Sequence, residues 1–377
     1  MAIRPFKIEV SDSALVDLKC RLARTRLPDT VANAGWRYGT DRDFLNALVV
    51  YWREHFDWRA AEERLNQFPQ FIAEIDGLDI HFLHVRGKGP NALPLIVTHG
   101  WPSSVAEFAK IIPLLTDPAS HGGRAEDSFD VIAPSLPGFG FSKAPKQPGM
   151  SSRAVTSIWV KLMKDVLGYA RFFAHGGDIG GGITNRLGRW KSAAAIHAMV
   201  AAPVEHPDSP PLSDAEKSWL ATVQKWEDDE GAYWHQQRTR PETLAYGLND
   251  SPAGLAAWIV EKWQSWSDCG GDVFSRFSME ELLTNISIYW FTETIGSSMR
   301  MYYETAHDPN PDTSAKIEVP ARIFLSREEV ERCPLEYAAR SYTDFSYGLA
   351  ERGGHFLAAE EPQLLADDIR NWFRRFR

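Results

Sequence analysis

Three short segments of the chain hold residue types that could do chemistry. The first is Gly176-Gly177-Asp178-Ile179-Gly180, directly after the apolar run RFFAH and before GGGITNRLGRW, which reads as a helix. Glycines around a central nucleophile permit a tight strand-to-helix turn that pushes the central side chain outward. The central residue here is aspartate, not serine. A carboxylate is already ionised at neutral pH and needs no base to attack. Its attack on an sp³ carbon gives an ester, so the expected target is an electrophilic alkyl carbon rather than an amide or ester carbonyl. Taken alone, the segment would also suit a plain glycine-rich turn.

The second segment, His99-Gly100-Trp101-Pro102, follows the apolar run LPLIVT. In an α/β-hydrolase fold a loop at that place supplies one backbone N–H of an oxyanion hole, and the residue after the nucleophile supplies the other. The expected donors are Trp101 and Ile179, holding the carbonyl oxygen of an Asp178 ester while water attacks it. A proline turn with a packed tryptophan is the structural alternative. The third segment is Arg352-Gly353-Gly354-His355-Phe356, just before the last helix. The chain order nucleophile, acid, histidine suits this fold and makes His355 the expected general base. Its orienting acid should lie on the loop after ARIFLS, where Glu328 and Glu329 compete. The stretch LPGFGFS (136–142) lacks the helix-opening glycine of a dinucleotide fingerprint and reads as a loop beside the pocket.

Alternating elements must position these segments. Leu93–Thr98, Phe129–Ala133, Arg171–Ala174, Ala195–Ala202 and Ala321–Leu325 are short apolar runs, and helical patterns such as Ala154–Leu167 lie between them. Alternation of this kind predicts a mostly parallel sheet flanked by helices. Before it, Leu15, Leu18 and Leu22 recur at helical spacing, as do Phe44, Leu45, Leu48, Val49 and Trp52, so residues 1–75 are expected to form a helical extension. Asp76-Gly77 marks a hairpin. A Pro/Asp/Ser stretch after Pro203 and the segment HDPNPDTSAKIEVP bracket a Trp-rich helical block. The expected organisation is an extension (1–75), a core in two parts (76–203 and 307–377) and an inserted helical cap (204–306).

Composition narrows the partners. Lys+Arg 41 against Asp+Glu 50 gives a net charge of -9, with no basic run, which repels nucleic-acid phosphates. Cys20, Cys269 and Cys333 stand far apart, with no CxxC pair and no zinc-ligand spacing. No metal and no cofactor are expected. The N-terminus lacks an apolar signal segment, and no run of about eighteen apolar residues occurs. The expectation is a cytoplasmic protein with no membrane partner; self-association into a homo-oligomer stays open.

Together these segments resemble the microsomal-type epoxide hydrolases, an α/β-hydrolase branch with an N-terminal extension. The resemblance runs through IHFLHV, HGWP, PSLPGFGFS, GGD-x-G, LNDSPAGLAAWIVEKW, LLTNISIYW, RGGHF and EEPQLLADDIR. It implies cofactor-free opening of a small-molecule epoxide to a vicinal diol, with Asp178 as nucleophile and His355 as base. It also implies two cap tyrosines that hydrogen-bond the epoxide oxygen: Tyr233, before Pro241 and LNDSP, and Tyr302, in the Arg-x-Tyr segment. For the acid, counting forward from Pro320 lands on Glu329 and counting back from His355 on Glu328. Pro334 and Tyr337 keep family register with Glu329, which is favoured. The chain departs from the family in having Ile179 where many relatives have Trp and Ser326-Arg327 in place of Phe-Pro, and it is expected to lack the membrane anchor of the animal enzymes. The cap tryptophans suit a bulky or aryl epoxide.

Two other readings use the same residues differently. Haloalkane dehalogenases share an Asp nucleophile but resemble a pattern with Trp after it, whose indole N–H holds the halide; Ile179 has no such donor. A hydrolase-fold binding protein without catalysis would show an eroded set of catalytic groups, whereas each group has a candidate here.

Overall fold

The computed structural model describes residues 3–202, 209–312, 315–329 and 332–377. Among them the short apolar runs pair into one sheet. Its strands are β1 (Ile3–Phe6), β2 (Gln70–Ile75), β3 (Leu78–Val85), β4 (Leu93–Thr98), β5 (Phe129–Pro134), β6 (Phe173–Gly176), β7 (Ile196–Ala198), β8 (Ala321–Leu325) and β9 (Phe345–Leu349), in the order β1-β2-β3-β5-β4-β6-β7-β8-β9. From β5 to β9 all neighbours are parallel, and β1 to β3 add an antiparallel edge that joins β5 through β3. The central strands are buried on both faces, as parallel strands covered by helices must be: every residue of β5 and β6 is buried. The stretch before residue 76 is therefore not wholly helical. β1 and β2 belong to the main sheet, and β1 is too short for its periodicity to show in the sequence. β9 was likewise illegible.

The sheet order reverses at β4. β5 lies on one side of it and β6 on the other, which makes the carboxyl ends of β4 and β6 a topological switch point, where such folds open a crevice. The register sets Thr98 beside Gly176, so the HGWP loop and the Asp178 turn leave the sheet side by side.

Helices cover this frame. The extension folds as α1 (Asp12–Ala23), α2 (Arg42–Glu54) and α3 (Trp58–Asn66). α2 buries Leu45, Leu48, Val49 and Trp52, residues at helical spacing. In the core lie α4 (Ile111–Thr116), α5 (Ser152–Lys161) and α6 (Asp178–Arg189). Between β7 and β8 the chain leaves the sheet for α7 (Asp214–Glu230), α8 (Ala232–Thr239), α9 (Pro241–Asp250), α10 (Pro252–Trp266), α11 (Met279–Thr292) and α12 (Ile295–Ala306). Part of each expected bracketing linker falls on residues 203–208 and 313–314, outside the described residues. After β8 come α13 (Leu335–Ala339), α14 (Leu357–Glu360) and α15 (Pro362–Phe373).

Sequence signals start several of these helices. Ser213 with Glu216 opens α7, and Ser278 with Glu281 opens α11, each as a reciprocal capping box. α10 is apolar on most sides and correspondingly buried, from Leu255 to Trp266. The extension is tied to the cap through Trp52, whose Nε1 donates to Ser287 Oγ at 3.0 Å. No described helix is long and apolar enough to cross a membrane.

Candidate active site

β6 ends at Gly176 and α6 begins at Asp178, so the turn between them is a single residue, Gly177. Asp178 takes φ 49°, in the left-handed region. Such a conformation costs a non-glycine residue on the order of 1–3 kcal/mol and persists only where the surroundings hold it. The glycines are required by close approach: a Cβ on Gly180 would overlap the carbonyl oxygen of Thr98, and one on Gly100 would overlap the Asp178 carboxylate.

The two expected donors converge on that carboxylate. Trp101 N–H donates to Oδ1 at 2.8 Å, and Ile179 N–H donates as well. Burial raises the Asp178 pKa, while the charge of His355 and the two N–H groups oppose the rise. The HGWP loop is braced from several sides. Leu136 N–H donates to His99 Nε2 at 3.2 Å, which leaves Nδ1 protonated and donating to Gly100 O at 3.0 Å. Burial pushes the His99 pKa down to about 4, against the pull of that carbonyl, so it is a neutral brace. Pro102 O accepts from Asn285 Nδ2 at 2.7 Å, and Ser103 O accepts from Tyr289 O–H at 2.7 Å, both from α11.

His355 faces the carboxylate from the other side. Its Nε2 stands 3.8 Å from Asp178 Oδ2, and its Nδ1 is 3.1 Å from Glu329 Oε1. Glu329 is buried, whereas Glu328 is exposed and pairs with Arg327 at 3.3 Å. Burial works against charge on His355 but is outweighed by Glu329, through charge and hydrogen bond, and then by Asp178 and Glu107. The pKa is raised to about 10.

The cap closes the site with aromatic rings. Tyr233 on α8 and Tyr302 on α12 lie 6.3 Å apart at 81°. Both touch the Trp101 indole, Tyr233 stacked at 5.5 Å and Tyr302 edge-on at 6.0 Å. Trp266, at the end of α10, packs on Tyr233 at 4.9 Å and on His355 at 5.1 Å. Its carbonyl accepts the His355 N–H at 2.9 Å.

Several residues of this arrangement were not singled out in the sequence: Glu107, Asn285, Tyr289 and Glu360. Glu360, a buried carboxylate on α14, accepts from Gly354 N–H at 3.0 Å and Phe356 N–H at 3.0 Å, the two residues flanking His355, and from Asp268 N–H at 2.9 Å in the cap. Its signal was present in the EEP run after RGGHF, but nothing in the residue type shows that backbone donors are its partners.

A switch-point crevice holding a carboxylate elbow, two backbone donors and a histidine–glutamate pair defines an α/β hydrolase with aspartate at the elbow. Comparison with known proteins extends this. Residues 94–269 match the model of the alpha/beta hydrolase fold, and residues 3–108 that of the epoxide hydrolase N terminus. The chain is 45% identical to a candidate epoxide hydrolase of Stigmatella aurantiaca, over 100% of this chain and 86% of the relative. It is 38% identical to epoxide hydrolase 1 of Sus scrofa, over 98% and 88%. The crystal structure of the juvenile hormone epoxide hydrolase of the silkworm Bombyx mori superposes with a TM-score of 0.91 at 31% identity, covering 100% of this chain and 95% of that one. The chain belongs to the epoxide hydrolase family.

Proposed function

We propose that this epoxide hydrolase works through a covalent ester on Asp178. The observation that carries the reading is the division of labour between two oxygens: Oδ1 is held by Trp101 N–H at 2.8 Å, while Oδ2 faces His355. Oδ2 attacks an epoxide carbon, the C–O bond breaks, and its electron pair stays on the ring oxygen. Tyr233 and Tyr302 donate hydrogen bonds to that oxygen, and one phenol gives it a proton. Water then gives a proton to His355 Nε2 and attacks Cγ. Charge builds on Oδ1 between the N–H groups of Trp101 and Ile179, and collapse releases the diol oxygen, which takes up the proton from His355, while the water's second proton leaves the regenerated carboxyl and restores the phenol. Glu329 holds the imidazole in the required tautomer and stabilises its charged form.

The resting electrostatics support this order. In the free enzyme Asp178 helps to keep His355 protonated. Conversion of its carboxylate to an ester removes that charge, so His355 gives its resting proton to solvent and can accept one from water once there is an ester to hydrolyse, and it is protonated again when the carboxylate is restored.

Trp101, Trp266 and the two tyrosines form an aromatic enclosure that favours a bulky or aryl substrate. The exposed thiol of Cys20 suits a reducing, cytoplasmic setting. A panel of aryl, alkyl and terpene epoxides, with chiral analysis of the diols, tests the substrate reading. Among neutral epoxides the highest kcat/KM is expected on aryl or terpene substrates, and preference for small aliphatic ones would contradict it.

A further inference from the structure

The cavity at Asp178 does not end at the catalytic groups. It has a volume of about 280 Å³ and runs along one face of α6, where Asp178, Gly182, Asn185, Arg186 and Arg189 all line it. These positions are spaced at three, four and seven residues, so they share one side of the helix. Val200, Ala201, Ala202 and Trp226 provide apolar wall. The charged residues of the cavity thus stand at two ends: carboxylates and histidine at the start of α6, two guanidinium groups at its end.

Among the described residues no carboxylate touches those arginines, and neither Arg186 nor Arg189 has an ion pair. Arg186 is 8% exposed and donates to Ser152 Oγ at 3.1 Å and to Pro311 O at 3.0 Å. Arg189 donates to Ala315 O at 2.8 Å and Asp312 O at 3.2 Å. Arg186 Nε and Arg189 Nη2 are buried and have no hydrogen-bond partner. The nearby carboxylates are engaged elsewhere, Asp308 by Ser151 Oγ and Asp312 by Trp190 Nε1, and their charges reach the arginines only at longer range. A guanidinium stays charged in a protein, and a buried charge without an ion partner is costly to keep. A role limited to pinning the linker carbonyls would not require two such charges on a cavity wall.

We infer that Arg186 and Arg189 bind a carboxylate at the far end of the substrate, and that the preferred substrate is an epoxide carrying an acid group remote from the ring. The inference rests on the epoxide-opening role of Asp178. At ~1.5 Å rise per residue, the Cα atoms of Arg186 and Arg189 lie roughly 12 and 16 Å along the axis from that of Asp178. Side chains on a helix lean toward its N-terminus, so a substrate must span somewhat less, on the order of ten chain atoms. The planar fork of arginine matches a carboxylate, and each charge-assisted bond gained or lost changes binding by roughly ten- to a hundredfold.

The test compares ω-epoxyundecanoic acid with its methyl ester, and measures decanoate binding by calorimetry. The wild type should show a kcat/KM at least tenfold higher for the acid, lying mainly in KM, and should bind decanoate. In Arg186→Gln and Arg189→Gln the acid-to-ester ratio should fall toward one and decanoate binding should weaken. Equal kcat/KM for acid and ester in the wild type, with no decanoate binding, would overturn the inference even if a variant failed to fold. Equal loss on both substrates in folded variants, with decanoate binding retained, would assign the arginines to linker packing and overturn it also. If neither epoxide were opened while decanoate still bound through Arg186, the carboxylate site would stand and the epoxide-opening reading would fail.

Discussion

The backbone N–H of Trp101 stands 2.8 Å from Oδ1 of Asp178, and this contact orders the rest of the site. It exists because β4 and β6 are parallel neighbours in a register that ends both strands at one level. With Oδ1 held, Oδ2 is the oxygen turned toward His355.

The two half-reactions should separate by mutation. His355→Gln keeps the carboxylate able to attack but removes the base, so the alkyl-enzyme should accumulate as a mass increase equal to the substrate. Asp178→Ala should give neither adduct nor diol. Intact-protein mass spectrometry with excess epoxide reads both; an adduct-free His355→Gln that still made diol would contradict the roles.

Glu329→Gln should slow ester hydrolysis by up to a few orders of magnitude, since the members of a catalytic unit act together. Glu328→Gln, at an exposed position on the same loop, should stay near wild type. Single-turnover decay of the alkyl-enzyme measures each, and the reverse ranking would exchange their roles.

Tyr233→Phe and Tyr302→Phe should each slow alkylation about a hundredfold to a thousandfold, the loss of one donor to a developing oxyanion. Hydrolysis of a preformed ester should change little. Stopped-flow tryptophan fluorescence would resolve the two phases, and wild-type alkylation rates in both variants would exclude the tyrosines from oxygen activation.

His355 provides a pH signature. Its folded pKa is raised to about 10, above the ordinary value, so its stabilising charge interactions are fully present below about pH 6.5 and are lost as pH rises through about 10. In His355→Gln the stability difference from wild type should therefore shrink between about pH 6.5 and 10. In the alkyl-enzyme the same group should titrate lower, because the Asp178 charge is gone. Imidazole NMR of free enzyme against pH, beside the pH profile of ester hydrolysis, checks this; a hydrolysis pKa at or above that of the free enzyme would contradict it.

Much of the site was legible because its signals are local. Gly-x-Asp-x-Gly and the glycines before His355 report backbone geometry within a few residues, and the apolar runs of the central strands need no tertiary information. Glu328 and Glu329 could not be separated by physical reasoning on the sequence, since both are acids on one loop and only the folded path buries one of them. Tyr233 and Tyr302 lie on separate helices and meet each other and Trp101 only in the folded chain, so spacing alone said nothing about them. Glu360 was invisible for a different reason: it acts on backbone N–H groups, which carry no sequence signature. The strands β1 and β9 escaped because IRPF and FSYGL are too short for a period to declare itself and, unlike the segments of the equally short β6 and β8, hold no continuous apolar run.

The covalent ester on Asp178 is the central claim, and one turnover in ¹⁸O-water tests it most directly. With enzyme in excess over a single equivalent of epoxide, the first diol should carry unlabelled oxygen from Asp178, and the label should be found in the Asp178 carboxylate by peptide mass spectrometry. Label in that first diol, with none in the enzyme, would show that water attacks the epoxide itself and would contradict the account.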